Sequence, residues 1–180
     1  MKICYFDLET QRLFSEVGGR YPEKNAEKLG LSVAGVITND ESIEFFTENE
    51  VKELLELLRS ADLVIGHNIM RFDYLVLNPY TDFDVPSTLQ PNTIDTMLEI
   101  DKRVKRFLGL DALVRHTLGV TKTGNAMDMP RLWKEGKHDE VKSYCKNDIE
   151  ILKKFYLHGK SEKCVKCDID GKLTEISVEW

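Results

Sequence analysis

Four carboxylates and one phenol have the residue types and spacing to do chemistry together. They are Asp7 and Glu9 in Phe6-Asp7-Leu8-Glu9-Thr10, Asp73 in Asn68-Ile69-Met70-Arg71-Phe72-Asp73, and Tyr144 and Asp148 in Tyr144-Cys145-Lys146-Asn147-Asp148. Asp7 and Glu9 stand two apart at the end of the apolar run 2–6, and alternate residues of a strand face the same way, so one strand presents both. Tyr144 and Asp148 stand four apart within 138–157, where Val141, Cys145, Ile149, Leu152, Phe155 and Tyr156 keep a helical period, so one helix face presents both. Carboxylates crowded together repel and are costly without cations. An all-oxygen donor set suits Mg²⁺ or Mn²⁺, whereas Zn²⁺ sites usually include His or Cys. Two such ions roughly 3.5–4 Å apart stabilise the attacking and departing oxygens of a phosphodiester displacement. That is the chemistry this set suits.

The elements that must gather these groups can be read along the chain. Residues 11–29 are polar, contain Gly18, Gly19 and Pro22, and read as a loop with one short helix. Segments 31–38 and 42–47 read as strands around an Asn39-Asp40 turn. Leucines at 54, 55, 57 and 58 mark 48–60 as an amphipathic helix feeding a buried strand at 62–66. His67 and Asn68 form the turn that follows, and a helix over 71–77 carries Asp73 in its first turns. Residues 78–91, with three prolines, read as a loop leading to a short strand at 93–95. A helix over 110–118 ends at Gly119, and 124–129 is irregular. The order predicts an α/β fold: a three-stranded antiparallel meander plus parallel strands in one mixed sheet, flanked by helices. Ligands in such folds bind at strand ends, where residues distant in sequence meet.

Asp-x-Glu-Thr at 7–10, Asn-x3-Phe-Asp at 68–73 and Tyr-x3-Asp at 144–148, in this order, resemble the DEDD exonuclease superfamily in its tyrosine-bearing branch. The segment 110–119 is similar to the helix between the second and third motifs of ribonuclease D-like and polymerase-associated proofreading exonucleases, and Arg131-Leu132-Trp133 is similar to stand-alone and helicase-associated members. The resemblance covers about residues 2–157. It implies a ribonuclease H-like sheet and a 3′-5′ exonuclease that uses two divalent cations, Mg²⁺ or Mn²⁺, to release nucleoside 5′-monophosphates. It implies that Asp7 bridges the ions and that Glu9 and Asp148 complete the shell of the ion carrying the attacking water. Asp73 then serves the other ion, and Tyr144 positions the water. A tyrosine, with a reference pKa near ~10, is a protonated donor at neutral pH, so orientation is favoured over proton abstraction. Thr10 and Asn68 are candidate contacts to the terminal nucleotide. The expected partner is a single-stranded 3′ end, DNA before RNA, with a helicase or polymerase as a processive partner. An exoribonuclease and a non-catalytic nucleic-acid-binding module are the alternatives.

Composition is compatible with this reading. A chain of 180 residues with 42% hydrophobic residues can build one substantial core. Residues 1–158 are expected to form the catalytic domain and 159–180 a terminal strand or hairpin. With no long apolar run, a soluble, cytoplasmic protein without a membrane span or signal peptide is expected. The net charge of −6 argues against tight, long-footprint binding to duplex DNA. Lys/Arg clusters at 102–106, 131–137 and 153–154 are either phosphate tracks or solvated faces. Trp133 reads as packing before base stacking, and Phe72 as a core anchor. Cys164-x2-Cys167 supplies two of the four ligands a structural zinc needs, with His158 a third, so Zn²⁺ there is the lesser reading. Asp95 is left outside the metal shell.

Overall fold

The computed structural model of the chain describes residues 1–21, 23–39 and 41–180; Asp40 of the expected turn and Pro22 of the expected loop lie outside the described residues. The elements run β1 (Ile3–Thr10), β2 (Leu31–Thr38), β3 (Ile43–Thr47), α1 (Val51–Arg59), β4 (Leu63–Gly66), α2 (Asp73–Leu77), α3 (Val85–Leu89), β5 (Thr93–Asp95), α4 (Thr96–Val104), α5 (Leu110–Leu118), α6 (Met129–Lys134), α7 (His138–Glu162), β6 (Cys164–Ile169) and β7 (Lys172–Ser177). The segment between β1 and β2 holds two 3-10 turns, Phe14–Glu16 and Glu23–Lys28.

Five strands form one sheet in the order β3-β2-β1-β4-β5, with β1 at its centre. The pairs β1/β2 and β2/β3 are antiparallel, and β1/β4 and β4/β5 are parallel. The central strands are apolar on both faces because helices cover both. Tyr5, Val33, Ile37 and Ile65 point into one core with residues of α5, α6 and α7. Cys4, Phe6, Leu8, Ala34, Val36 and Val64 point into the other, with residues of α1, α2 and α3. The odd residues of β1 therefore share a face, and Asp7 and Glu9 follow Tyr5 toward α7.

Two backbone details fix the geometry at that end of β1. The β1/β2 register slips between Glu9 and Thr10, a bulge of the kind that re-aims side chains beside functional sites. Gly35 pairs across the ladder with Asp7, and a Cβ built there would stand 2.5 Å from Ile149 Cδ1 and 3.2 Å from Cys145 Sγ. Only a glycine lets α7 settle this closely onto the sheet, which lowers Asp148 toward Asp7.

The structure departs from the sequence reading in four places. Segment 124–129, expected to be irregular, forms a 3-10 turn at Ala126–Asp128 capped by Asn125 and runs into α6 at Met129. Residues 78–91 are not all loop: α3 forms at Val85, capped by the Asp84 carboxylate accepting from the Ser87 N–H at 2.8 Å. Asp95 likewise caps α4, accepting from Met97 at 3.0 Å and Leu98 at 3.3 Å, and it is this cap that lets the charged run 96–104 be helical. Helix α7 continues past 157 to Glu162, because Gly159 lies under the Trp180 ring, where a Cβ would come within 2.6 Å. The Trp180 indole N–H donates to the Tyr156 carbonyl at 3.0 Å.

The tail forms an antiparallel hairpin, β6 with β7, as a separate two-stranded sheet. Its Val165, Cys167, Ile176 and Val178 join the same core as Tyr5 and Phe155. Cys164 and Cys167 are three apart on β6, and odd spacing puts them on opposite faces, Cys167 buried in the core beside Val165. One strand cannot turn both thiols to a single zinc ion. Among the described residues no helix is long and apolar enough to cross a membrane.

Candidate metal centre

The end of β1 and the middle of α7 bring three carboxylates together. Ligand oxygens of Asp7, Glu9 and Asp148 all lie within 4.8 Å of one another. They line a cavity of about 400 Å³, and Thr10, Asn68, Asp73 and Lys122 line it too. Asp73, first residue of α2, reaches over from the other face of the sheet: its Oδ1 accepts the Leu8 N–H at 3.1 Å, between Asp7 and Glu9 in sequence. Asp73 is 2% exposed and Asp148 4%. Among the described residues, Asp148 Oδ1 is buried with no hydrogen-bond partner. A buried, unpartnered carboxylate oxygen beside two other carboxylates is a donor set suited to a hard divalent cation, and the group is able to hold one.

Proton affinities follow from this crowding. Burial, then the nearby Asp148 charge, pushes Asp7 from 3.8 up to about 7 against the pull of Lys122. Burial and Asp7 drive Glu9 and Asp73 well above the usual carboxylate range. Asp148 is raised by burial, although Lys122 and Tyr144 oppose that. Tyr144, four residues before Asp148 on α7, is 8% exposed. Burial and the Asp148 charge hold its phenol protonated far above neutrality. The phenol interacts with Asp148, while its ring lines the neighbouring groove with Gly124 and Asn125 rather than the carboxylate cavity itself.

The remaining expected contacts sit at the cavity rim. The Thr10 hydroxyl donates to the Arg12 carbonyl at 2.9 Å. Asn68 adopts a left-handed conformation at φ 68°, which asparagine reaches more readily than most L residues. Asp95 Oδ1 accepts the Asn68 N–H at 2.8 Å and Oδ2 accepts the Met70 N–H at 3.0 Å, so the carboxylate that caps α4 also fixes the turn leading to Asp73. His67 places Nε2 3.0 Å from the Leu108 carbonyl and Nδ1 2.8 Å from the Thr96 hydroxyl. Burial lowers its pKa to about 4, so the ring is neutral: Nε2–H donates and Nδ1 accepts. Phe72 is only partly buried and walls the cavity, so it is more than a core anchor.

Lys122 was not singled out by the sequence reading. It lies in a polar stretch after α5 with no periodicity, yet its ammonium pairs with Asp148 and is 22% exposed. Burial works against that charge, but Asp148, Asp7 and Glu9 outweigh it and raise the lysine pKa. Asp111 of α5 holds the strap in place, accepting the Lys122 N–H at 3.0 Å.

Comparison with solved structures places this architecture. The chain is similar to the family B DNA polymerase from the hyperthermophilic archaeon Pyrobaculum calidifontis, with a TM-score of 0.59 and 13% identity over 90% of this chain. The likeness is one of fold. The chain spans about a quarter of that polymerase, 24% of its length. No family model and no curated protein matches the sequence. The five-stranded mixed sheet flanked by helices is a ribonuclease H-like α/β fold.

The basic clusters read from sequence are largely neutralised. Lys102 pairs with Glu99, Arg103 with Glu179 at 2.8 Å, and Arg106 with Asp170 through two bonds at 2.8 and 2.7 Å. Arg131 pairs with Glu135 and Asp128, Lys134 with Glu16, and Lys153 with Glu41. These are solvated ion pairs of small individual worth, and the cations that do face the cavity are Arg12, Arg20 and Lys122. Trp133 stacks on His138 at 3.9 Å between ring centroids, which is packing.

Proposed function

We propose that this chain is a metal-dependent 3′-5′ exonuclease that removes nucleoside 5′-monophosphates from single-stranded DNA ends. The observation that carries the reading is the convergence of Asp7, Glu9 and Asp148 within 4.8 Å, with Asp148 Oδ1 buried and, among the described residues, unpartnered. It agrees with the motif resemblance to polymerase-associated proofreading exonucleases and with the likeness in fold to a DNA polymerase.

In this reading Asp7, Glu9, Asp148 and Asp73 hold two Mg²⁺ or Mn²⁺ ions. When bound, such ions lower the pKa of a coordinated water and offset charge on the phosphate oxygens. Asp73 also fixes the Leu8 main chain, holding Asp7 and Glu9 at a set angle. Tyr144, kept protonated, acts as a hydrogen-bond donor that orients the water, not as a base. Lys122 keeps the carboxylates close together and offers a cation to a phosphate. Thr10 and Asn68, on the rim, contact the terminal nucleotide.

The test is digestion of 5′-labelled single-stranded DNA, RNA and blunt duplex with Mg²⁺ or Mn²⁺, comparing the wild type with Asp7→Ala and Asp148→Ala. Stepwise 3′ shortening of single-stranded DNA that either substitution or a chelator abolishes supports the proposal. Preferential digestion of RNA would make the enzyme an exoribonuclease. Binding without cleavage in every metal would make it a binding module.

A further inference from the structure

A second cavity, of about 360 Å³, adjoins the first and shares Phe14, Arg20, Asn68 and Phe72 with it. It leads away from the carboxylates, and its far rim is built from exposed aromatics and arginine. Phe107 is 54% exposed and Tyr21 78%, unusual for large rings. The Arg71 guanidinium lies over the Phe107 ring at 4.4 Å and is held there by an ion pair with Glu23. Arg20 sits over Phe14 at 5.9 Å, and Phe14 packs on Phe72 at 5.8 Å. Phe107 is not a loose tip: the carbonyl of the next residue, Leu108, is tied to partly buried His67 at 3.0 Å, and Arg71 follows the turn clamped by Asp95. Two planar cationic groups and four rings thus line a groove continuous with the proposed cleavage site.

We propose that this groove is a stacking shelf for the nucleobases that precede the terminal nucleotide of a single strand, with Phe107 and Arg71 as its principal platforms. The inference rests on the nuclease reading for its polarity, since the 3′ end occupies the carboxylate cavity. Flat apolar rings and guanidinium planes take the faces of bases of any sequence, and Arg20 and Arg71 with Glu23 leave one net positive charge for the backbone. Paired bases hide their faces in the duplex stack, so the shelf selects unpaired strand. It also supplies the grip that the neutralised surface clusters do not.

The test is fluorescence anisotropy of the full chain with 5′-fluorescein oligodeoxynucleotides of two, four and six residues in chelator, so that binding is read without turnover. Wild-type affinity should step up between the two-residue and the longer strands. Phe107→Ala and Arg71→Ala should each weaken six-residue binding by about 5- to 150-fold, the range of one lost base stack, and flatten the step. Phe107→Tyr should keep it. Arg71→Lys preserves the charge and the Glu23 partner but not the plane, and should lose most of the step. A step that survives both alanine substitutions, or no step in the wild type, overturns the shelf. Phe107 is exposed, so misfolding is a poor excuse; circular dichroism of each variant checks it. Cleavage of the same strand with Mn²⁺ is scored separately against Asp148→Ala, so a length step without cleavage would sink the nuclease reading and leave the shelf standing.

Discussion

Replacing Asp7 with asparagine should make the metal-free protein more stable. The carboxylate is pushed from 3.8 to about 7 by burial and by the Asp148 charge. At about 1.4 kcal/mol per pH unit this amounts to about 4 kcal/mol of cost for holding Asp7 ionised in the fold. That is a ceiling, because Asp7 borders the cavity and the neighbouring acids share the burden, so a gain of about 1–4 kcal/mol is expected. The sign with pH is fixed by linkage. A group whose folded pKa is raised contributes stability at low pH and loses it as pH climbs through the folded value. Wild type therefore weakens between about pH 4 and pH 7 through this group, while the amide does not titrate. The gap between variant and wild type should be widest at pH 8 and nearly closed at pH 4. Urea denaturation in chelator at the two pH values measures it. Adding Mn²⁺ should then shrink the gap by up to about 2.7 kcal/mol, the stabilisation from a ligand at a hundred times its Kd, since Asp7→Asn forfeits most of that. No gain at pH 8, or a gap that grows on acidification, would refute the reasoning about crowded carboxylates.

Two further outcomes follow from the packing and the phenol. Gly35→Ala should cost about 1–3 kcal/mol, because its Cβ meets Ile149 at 2.5 Å, and should weaken Mn²⁺ binding by lifting the helix that carries Asp148; adding Ile149→Val should recover part of both in denaturation and calorimetric titration. Tyr144→Phe should lower kcat by up to about a hundredfold with KM little changed, the mark of a misplaced water rather than of lost substrate contacts, in steady-state digestion of single-stranded DNA.

The fold was legible where the chain repeats itself and illegible where single contacts decide. Leucines at helical spacing gave α1, and the short apolar runs gave β1, β2 and β4, because burial on a face imposes a period. The acids were legible for the same reason: Asp7 and Glu9 by strand parity, Tyr144 and Asp148 by helical spacing. Helices α3 and α4 were missed although Asp84 and Asp95 stood at their starts as capping residues; prolines and charge masked them. Lys122 could not be read, since its place depends on how the strap after α5 folds back through Asp111, a contact across 11 residues that no periodicity announces. Gly35 looked like any glycine in a strand. Its meaning appears only once α7 lies across it.

Asp95 ties two pieces of the molecule into one. Its two oxygens receive amides from the turn at 68–70 and from the opening of α4, so neither can shift without tearing the other's bonds. That side of the cleft, from Asn68 through Asp73, is a stiff jaw. In the proposed enzyme, the line along which a strand meets the acids would be set by this jaw.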